Sequence, residues 1–534
     1  MKPRKTLGKT PLGHQLRDVI RVAHAANQLD DQRGATADPL GSVDELLSRR
    51  EALRLAALGA TGLLTGGAFA NATRYLDPGI QNRRNVRVAI IGAGMAGLNA
   101  AYHLKRAGIT AQIYEAQPRA GGRIYTRHDV MGDGLITEVG ASFIDSDHTE
   151  MLNLAKTFDV GMWDTMAESE RSLQPAYYFG GKMRWNNEVM TAFRPFARKV
   201  AQDAKDAVLN NCKDFNRLGW ELDQISLAEY LQRIGMEGWL RDFMTVAYVT
   251  EDGTEADTLS AMQFISEVGT ATTGPFDLFG SSDQRYHTRG GNHQIPQALV
   301  NELRDQIHYH MWLEEVRMDS SGAYELTFAK DRAPVTVKAD YVIMTIPFTI
   351  LRTITMNVEM SPLKRRAIRE LNYGANAKLI VGFKERFWRS QGTHGLFFCD
   401  LPIQSGWDSG WRQPTTESSI TVFYGGKAAV RQVEYPLAQR VKDAVGQLDM
   451  VFPGALQNFN EKRTQFNWPH FPFVMGSYAA YAVGQQSAFG GLEAEPVGRM
   501  LFAGEHTHSE EQGFMNSAAM SGKHAAQSLL RAVR

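Results

Sequence analysis

Short apolar runs that end at glycine or proline recur along this chain, and they predict buried strands. Residues 88–91 (VAII) run into a glycine turn and then into an apolar helical pattern. Residues 335–347 (VTVKADYVIMTIP) alternate at first and then become continuously apolar, which indicates a strand that enters the core. Residues 500–503 predict a further strand, broken at Gly504, with a helix from about Gly513. This order of elements is typical of an α/β fold.

Segments with different patterns lie between these strands. Residues 175–185 (PAYYFGGKMRW) indicate a strand, a Gly-Gly turn and a second strand. A helix is predicted over residues 193–209, with Phe196, Val200, Ala204 and Val208 on its apolar face. The pieces of the α/β unit therefore lie at both ends of the chain, and a second unit of mixed α+β character lies between them.

The glycine turn at residues 92–97 (GAGMAG) has the chemistry of a dinucleotide-binding site. Gly92 permits the tight turn, Gly94 lets the backbone approach a pyrophosphate, and Gly97 lets the helix pack against the strand. The helix N-terminus then offers free N–H groups to the anion. Glu115 ends the next predicted strand about 20 residues on, where a carboxylate accepts bonds from a ribose diol. The motif does not separate NAD from FAD, and glycine turns without a ligand also occur.

A second glycine pair favours a flavin over a nicotinamide. It lies in the segment EAQPRAGGR, which runs from Glu115 to Arg123. Gly121 and Gly122 free the backbone for close approach, and they are flanked by two arginines, Arg119 and Arg123. Arg123 can neutralise a diphosphate oxygen. A long flavin dinucleotide that crosses the domain can use this turn, whereas a nicotinamide enzyme does not need it. The alternative is a surface loop with two arginines.

Ordered motifs over residues 84–534 resemble those of the flavin amine oxidase family, which includes monoamine, polyamine and L-amino acid oxidases. Besides the glycine turn they are EVGASFI (138–144), YVTEDGTEADTLSA (248–261), RGGNHQIPQAL (289–299), ADYVIMTIP (339–347), YGANAKLIVGFKERFW (373–388), FPFVMGSYAAY (471–481) and RMLFAGEHTHSEEQGFMNSAAM (499–520). The resemblance implies FAD as the cofactor and an α/β fold. It implies a Rossmann-like FAD-binding domain, discontinuous in sequence, with an α+β substrate domain. We assign residues 85–145, 285–360 and 495–534 to the FAD-binding domain, residues 146–284 and 361–494 to the substrate domain, and residues 1–84 to an N-terminal extension.

The resemblance also implies which residues form the site. Lys378 matches a lysine that holds a water near flavin N5, and Tyr478 and Phe514 match the aromatic residues that flank the substrate amine. Phe514 departs from the family's usual Tyr or Trp, so the π face is kept and a polar group is lost. Trp468 is expected to shape the flavin pocket, and Glu505 to accept bonds from FAD hydroxyls. The other cofactor-binding positions that we predict are Gly140, Ala141, Val316, Gly504, Met515 and again Phe514.

Several of these assignments have a structural alternative. Lys378 lies mid-strand among apolar neighbours, where a lysine is costly unless it is paired or faces a polar cavity. The alternative for Lys378 is an exposed strand face. Tyr478 and Phe514 can instead be core aromatic residues, and Tyr481 can replace Tyr478 if the turn is shifted. The remaining motif of interest holds His506 and His508, for which no third metal ligand is in view, so we expect no metal site.

Composition excludes several other classes. The 534 residues suffice for two or three domains with a large core, and 43% of them are apolar, as in soluble globular proteins. Lys plus Arg equals Asp plus Glu, at 58 each, which argues against nucleic acid as a partner. The two cysteines, Cys212 and Cys399, lie far apart and match no zinc-binding or disulfide pattern.

Residues 48–72 resemble a bacterial twin-arginine export signal. Arg49 and Arg50 precede an apolar stretch rich in Gly and Ala, and AFANA then offers small residues at cleavage spacing. The arginines lie deep in the chain, and Ala52 replaces the usual aromatic residue. The stretch is short and bears Arg54, so we expect no permanent membrane span. We expect a periplasmic or secreted protein, the alternative being a cytoplasmic protein that retains this segment as an amphipathic helix.

The substrate that we expect is a primary amine, oxidised to an imine and then to an aldehyde and ammonia, with O2 reduced to H2O2. An alkyl amine has a pKa near ~10 in water, so an apolar aromatic pocket favours its reactive neutral form. Many L-amino acid oxidases of the family carry a carboxylate-binding arginine within GAMR or GPMR, whereas here the stretch is GASF and Phe143 takes the arginine's place. The alternative is an L-amino acid oxidase that forms a 2-oxo acid, with Arg412 as its carboxylate anchor.

Two further alternatives are less favoured. A flavin desaturase or porphyrinogen-type oxidase on the same fold would need a long apolar channel, and a flavin-bound protein without turnover would need no catalytic lysine. We expect small-molecule substrates and O2 as partners. The sequence leaves a homodimer open.

Overall fold

The computed structural model describes residues 86–271, 278–279, 282–330, 333–508 and 512–533, so the predicted export signal at 48–72 lies outside the described residues. The strands are β1 (Val88–Ile91), β2 (Gln112–Tyr114), β3 (Thr126–His128), β4 (Ile136–Glu138), β5 (Met162–Asp164), β6 (Gln174–Phe179), β7 (Lys182–Arg184), β8 (Leu209–Asn211), β9 (Asp214–Phe215), β10 (Tyr286–Thr288), β11 (Ile307–His308), β12 (Trp312–Met318), β13 (Tyr324–Lys330), β14 (Ala333–Ala339), β15 (Tyr341–Met344), β16 (Thr355–Asn357), β17 (Asn376–Phe383), β18 (Thr393–Cys399), β19 (Ser405–Asp408), β20 (Ser418–Gly425), β21 (Phe459–Asn467) and β22 (Met500–Phe502). The helices are α1 (Met95–Arg106), α2 (Thr149–Thr157), α3 (Asn186–Asp206), α4 (Arg217–Asp223), α5 (Leu227–Arg233), α6 (Gly238–Asp252), α7 (Ala261–Glu267), α8 (Gln294–Leu303), α9 (Phe348–Leu351), α10 (Pro362–Glu370), α11 (Gly426–Val430), α12 (Leu437–Val451), α13 (Ala455–Asn458), α14 (Gln485–Phe489) and α15 (Met515–Ala532).

A five-stranded parallel sheet in the order β11-β2-β1-β15-β22 draws its strands from both ends and the middle of the chain. Strand β1 pairs with β15 from Val88↔Tyr341 to Ile91↔Met344, and every residue of both strands is buried. Burial on both faces explains why these segments are apolar at every position. The predicted α/β fold with a discontinuous Rossmann-like unit is therefore confirmed.

Helices α1 and α15 pack closely against each other on this sheet. A Cβ atom at Gly522 of α15 would lie 2.1 Å from the carbonyl oxygen of Ala96 in α1, so a larger side chain would push the helices apart. Helix α1 follows the carboxyl end of β1, and α15 follows that of β22 after a loop. Because carboxyl ends of parallel strands share one sheet edge, both helix N-termini are directed toward the same side.

A seven-stranded sheet in the order β21-β17-β20-β19-β18-β6-β7 forms the centre of the second region. Its outer hairpin, β6 and β7, turns at Gly180 and Gly181 as the sequence predicts. Helices α3, α6 and α7 contribute to an apolar cluster that also includes Phe398 of β18. A separate sheet in the order β14-β13-β12-β16 packs beside the Rossmann-like unit. Among the described residues, no helix combines the length and the apolar character needed to cross a membrane.

Helix α3 differs from its prediction in its extent and in its buried face. It begins at Asn186 and ends at Asp206, and Ala207 is extended. Its buried side chains are Val189, Met190, Phe193, Ala197, Val200 and Asp203. Ala204 and Val208 are exposed, so the predicted apolar face is wrong beyond Val200. The reason is geometric, because residues spaced strictly by four rotate by about 40° per step around a helix.

Candidate active site

A large cavity, here called the main cavity, lies between the carboxyl edge of the five-stranded sheet and one face of the seven-stranded sheet. It has about 2040 Å³ of empty space, its mouth included. Most of the predicted site residues line it: Gly92, Gly94, Glu115, Gly121, Gly122, Arg123, Gly140, Ala141, Phe143, Lys378, Trp468, Tyr478, Gly504, Glu505, Phe514 and Met515. The fold thus brings residues from opposite ends of the chain into one space.

The glycine turn presents an open stretch of backbone to this cavity. Gly92 has a φ of +103°, which suits glycine, and a Cβ atom at Gly97 would lie only 2.0 Å from the Gly92 carbonyl oxygen. By contrast, a Cβ atom at Gly94 would meet no heavy atom within 4 Å. Gly92 and Gly97 therefore serve the turn and the helix packing, whereas the space at Gly94 is open to a ligand. This arrangement fits a dinucleotide phosphate above the N-terminus of α1.

Glu115 lies at the end of β2 with both carboxylate oxygens fixed by the backbone. Oε2 accepts the N–H of Ala93 at 2.7 Å, and Oε1 accepts the N–H of Gln117 at 2.8 Å. Burial raises the pKa of Glu115, and these two N–H groups oppose the rise. Each carboxylate oxygen can accept a further hydrogen bond, so the group is suited to bind ribose hydroxyls.

Arg123 and Glu505 join the two ends of the chain at the cavity wall. Arg123 Nη1 donates to Glu505 Oε1 and to the Ser477 carbonyl oxygen, both at 2.7 Å. Glu505 also accepts the N–H of Gly513 at 2.8 Å. The positive charge of Arg123 is thereby balanced beside the position where a diphosphate would lie.

Besides Gly97, two predicted cofactor residues do not line the main cavity. Arg119 lies behind the second glycine turn, where its guanidinium donates to the carbonyl oxygens of Gly122 and Ile124 and lies 4.1 Å from the centroid of the Tyr125 ring. Val316 is fully buried within β12 in the core beside the five-stranded sheet. The start of β12 lines the cavity instead, through Trp312 and Leu313. The strand pairing shifts register between Leu313 and Glu315, which the sequence pattern does not reveal.

Lys378 lies in the middle of β17, with the residue only 4% exposed. Its Nζ atom donates to the carbonyl oxygens of Glu138 and Gly140 and to Ser142 Oγ. Burial lowers the pKa of Lys378 to about 7, and the negative charge of Glu138 opposes that fall. Because Lys378 is buried, the solvent-exposed alternative is wrong.

Two aromatic side chains, Tyr478 and Phe514, line the cavity. A Cβ atom at Gly513 would lie 3.3 Å from Cδ2 of Tyr478, so the Tyr478 ring packs against the residue before Phe514. The Tyr478 hydroxyl donates to the Glu251 carbonyl oxygen, which fixes the ring. Tyr481, the alternative, donates instead to Glu493 Oε1 in the core and does not line the cavity.

The inner face of the seven-stranded sheet contributes residues that sequence reasoning missed. Trp407 of β19 and Phe423 of β20 line the cavity beside Lys378, whose Nζ lies 5.1 Å from the centroid of the Trp407 ring. Phe143 packs against Trp407 with 5.5 Å between ring centroids. Period-two alternation within β19 and β20 would have placed these residues on one face, but only the pairing of β20 with β17 directs that face toward Lys378.

Arg412, the alternative carboxylate anchor, is not among the residues that line the main cavity. Its Nη1 atom donates to Ser169 Oγ at 2.7 Å and lies 3.5 Å from Glu170 Oε1. Glu170 is also bound by Arg389 and by the indole N–H of Trp411. The guanidinium of Arg412 is therefore part of a cluster of polar side chains around Glu170, outside the main cavity.

The HxH pair, His506 and His508, follows strand β22. His506 is buried, and its ring centroid lies 4.5 Å from that of Phe348. Burial holds the pKa of His506 well below its usual value. Within the described part of the chain, no group of three or more His, Cys, Asp or Glu residues is placed to hold a metal ion.

Comparison with known families agrees with this geometry. Residues 95–530 match the family model described as flavin containing amine oxidoreductase. The chain belongs to this family. The cofactor is accordingly FAD, and the open backbone at Gly94, the oriented Glu115 carboxylate and the Arg123–Glu505 pair are the groups that fit it.

Individual members of the family are similar to the chain at modest identity. A Bacillus subtilis protein, YobN, whose name proposes an L-amino-acid oxidase, is 26% identical over 457 residues, which cover 80% of this chain and 92% of the relative. A flavin-containing amine oxidase of Danio rerio is 25% identical, with coverage of 84% and 86%. Among solved structures, cyclohexylamine oxidase from Brevibacterium oxydans matches with a TM-score of 0.73 at 19% identity, over 84% of this chain and 99% of that one. The structural match supports the fold alone.

Proposed function

We propose that this protein oxidises a primary amine that has no α-carboxylate, giving an imine that hydrolyses to an aldehyde and ammonia while O2 is reduced to H2O2. When bound, the flavin accepts a hydride equivalent from the carbon next to the nitrogen. The residues of the chain bind and orient the amine, exclude water and set the protonation state around it.

The observation that carries the proposal is the charge of the cavity wall. Among the described residues that line it, the cationic side chains are Arg123 and Lys378. Arg123 is paired with Glu505, and Lys378 donates to Glu138, Gly140 and Ser142. Within the described cavity wall, a substrate carboxylate would meet no guanidinium other than that of Arg123, which is paired with Glu505, and next to Trp407 it would meet Phe143. An unpaired carboxylate is costly to bury, so this wall favours a substrate without one.

The apolar character of the same wall supports amine chemistry. Side chains that desolvate a bound amine include Phe143, Phe398, Trp407, Phe423, Tyr478 and Phe514. Removal of water disfavours the ammonium form and therefore favours the neutral amine, from which a hydride equivalent can leave. Because its hydroxyl is held by the Glu251 carbonyl oxygen, Tyr478 presents a fixed ring to the substrate.

An L-amino acid oxidase is the second candidate. It is favoured by sequence similarity to YobN and to the L-amino-acid oxidase of Bothrops atrox, which is 24% identical over 479 residues. For this activity a cation would have to be released toward the substrate. Either Arg412 would have to leave Ser169 and Glu170, or Arg123 would have to leave Glu505.

Measuring peroxide release from tyramine and from tyrosine distinguishes the two candidate functions. Loss of a charge-assisted hydrogen bond costs about 1.5 to 3 kcal/mol, or roughly a ten- to hundredfold change in affinity. We expect tyramine to exceed tyrosine in kcat/KM by a factor in that range. Arg412→Ala should leave the preference unchanged, because Arg412 does not line the cavity. If tyrosine is the better substrate and Arg412→Ala abolishes its advantage, the enzyme is an L-amino acid oxidase.

A further inference from the structure

A second, smaller cavity, here called the rear cavity, lies behind Phe143 and Trp407. It has about 410 Å³ of empty space, its opening included, compared with about 2040 Å³ in the main cavity. Ser142, Phe143 and Trp407 line both cavities and so form the partition between them. Much of the remaining wall is polar, including Glu138, Thr288, Ser409 and Thr421.

The hydroxyl groups of the rear cavity lack a full set of protein partners. Ser409 Oγ and Thr421 Oγ1 lie 2.6 Å apart, so one of their two protons forms the bond between them. The second proton has no acceptor among the residues that the structure describes. Ser142 Oγ accepts from Lys378, and its own proton has only the Gly140 carbonyl oxygen, at 3.4 Å, which is a long contact. Ser142 and Ser409 are half-buried and Thr421 is buried, and hydroxyl groups that lack protein partners in such places are normally completed by ordered water.

We propose that the rear cavity is a hydration site, whose water bonds to Ser142 and to the Ser409–Thr421 pair and solvates Lys378 through Ser142. The ligand is water, because the wall of this small space carries the hydroxyl groups of Ser142, Ser409 and Thr421, and Ser142 contacts the Lys378 amine. The proposal does not depend on whether the substrate is an amine or an amino acid.

The charged and titratable groups around Lys378 are few, so this water is the polar neighbour that a mutation can remove. On the adjacent strands β20 and β21, Lys378 pairs with Phe423 and Phe466, which carry no charge. From β4, Glu138 lines the rear cavity, and its carboxylate accepts hydrogen bonds from the Thr126 hydroxyl and the Asn292 N–H. On the far wall, Asp408 is paired with Arg386, and burial keeps His287 neutral by lowering its pKa to about 3.

The first test is a crystal structure of the FAD-loaded protein at a resolution that defines ordered water. We expect density for water within hydrogen-bond distance of Ser142 Oγ and the Ser409–Thr421 pair. Thr421→Val keeps the side-chain shape and removes one hydroxyl group, so this water should be lost or displaced. The matched control is Thr393→Val, since Thr393 is a buried threonine of the same sheet that lines neither cavity. A rear cavity without water in the unmutated protein would overturn the proposal.

The second test uses no substrate, so its failure and failure of the proposed function are distinguishable. The visible spectrum of the bound flavin is titrated with pH, and Lys378→Met identifies the transition that belongs to Lys378. In Thr421→Val the water loses one hydrogen bond and solvates the Lys378 ammonium less well. The midpoint of the Lys378-dependent transition should therefore fall by about one pH unit, a roughly tenfold change in the protonation equilibrium. Thr393→Val should leave it unchanged. An unchanged midpoint in Thr421→Val, an equal shift in Thr393→Val, or no Lys378-dependent transition would each overturn the proposal. If Thr421→Val does not fold, Ser409→Ala carries the same expectations.

Discussion

Gly94 and Gly97 lie in the same turn, yet the structure predicts opposite consequences when each is changed to alanine. A Cβ atom at Gly97 would lie 2.0 Å from the Gly92 carbonyl oxygen, a backbone atom that cannot move without displacing α1 from β1. Such overpacking costs about 1–3 kcal/mol or more. We therefore expect Gly97→Ala to lower the free energy of unfolding by about 3 kcal/mol, with or without FAD.

Gly94→Ala should leave the free energy of unfolding of the FAD-free protein within about 0.5 kcal/mol of the original value. Gly94 has a φ of −75°, which alanine adopts freely, and its Cβ atom would enter open space. The same methyl group would lie where a pyrophosphate approaches the backbone. An added contact of about 1–3 kcal/mol there should weaken FAD binding by roughly ten- to hundredfold.

Urea unfolding of the FAD-free proteins and quenching of flavin fluorescence on binding measure these two quantities separately. Gly446→Ala is the control, because Gly446 lies within helix α12 and its Cβ atom would also meet open space, far from the turn in sequence. It should stabilise the protein by about 0.5–1 kcal/mol and leave FAD binding unchanged. If Gly94→Ala destabilised the FAD-free protein as much as Gly97→Ala, or bound FAD with the original affinity, the assignment of the turn would be refuted.

Three further sets of variants test Lys378, Glu115 and the segment at residues 48–72. Lys378→Met should slow flavin turnover in stopped-flow measurements while FAD stays bound. Because burial lowers the pKa of Lys378 from 10.5 to about 7, the folded protein binds fewer protons than the unfolded chain between those values. The contribution of Lys378 to the free energy of unfolding therefore rises by about 1.4 kcal/mol per pH unit. When urea unfolding is measured at pH 7 and at pH 9, the stability of the original protein relative to Lys378→Met should be greater at pH 9. Glu115→Ala removes the acceptor of the Ala93 and Gln117 N–H groups and should release FAD during gel filtration, whereas retained flavin would contradict the proposed ribose contact. Changing Arg49 and Arg50 to lysine should retain a precursor in the cytoplasm of a bacterial host, and unaltered localisation with an unaltered N-terminus would exclude export through residues 48–72.

The cofactor half of the site could be predicted from local sequence because its chemistry resides in a continuous turn. Gly92, Gly94, Gly97 and Glu115 owe their roles to backbone geometry and to one strand end, which short-range patterns encode. The positions of Val316 and Arg412 could not be predicted this way. Val316 follows a register shift in β12 and lies in the core rather than at the cavity. Arg412 is held outside the cavity by Ser169 and Glu170, which are far away in sequence.

By itself, the sequence determined the parallel sheet and the dinucleotide turn, because apolar periodicity and glycine spacing each carry their physical cause within a few neighbouring residues. The grouping of Lys378, Tyr478 and Phe514 in one site was predicted from resemblance to the family. Only the tertiary structure decided what surrounds them. The pairing of β17 with β20 and of β20 with β19 brings Trp407 and Phe423 beside Lys378, and the loop after β4 supplies Ser142. These contacts join residues far apart in sequence, and their free energy depends on sheet register, which no local pattern specifies.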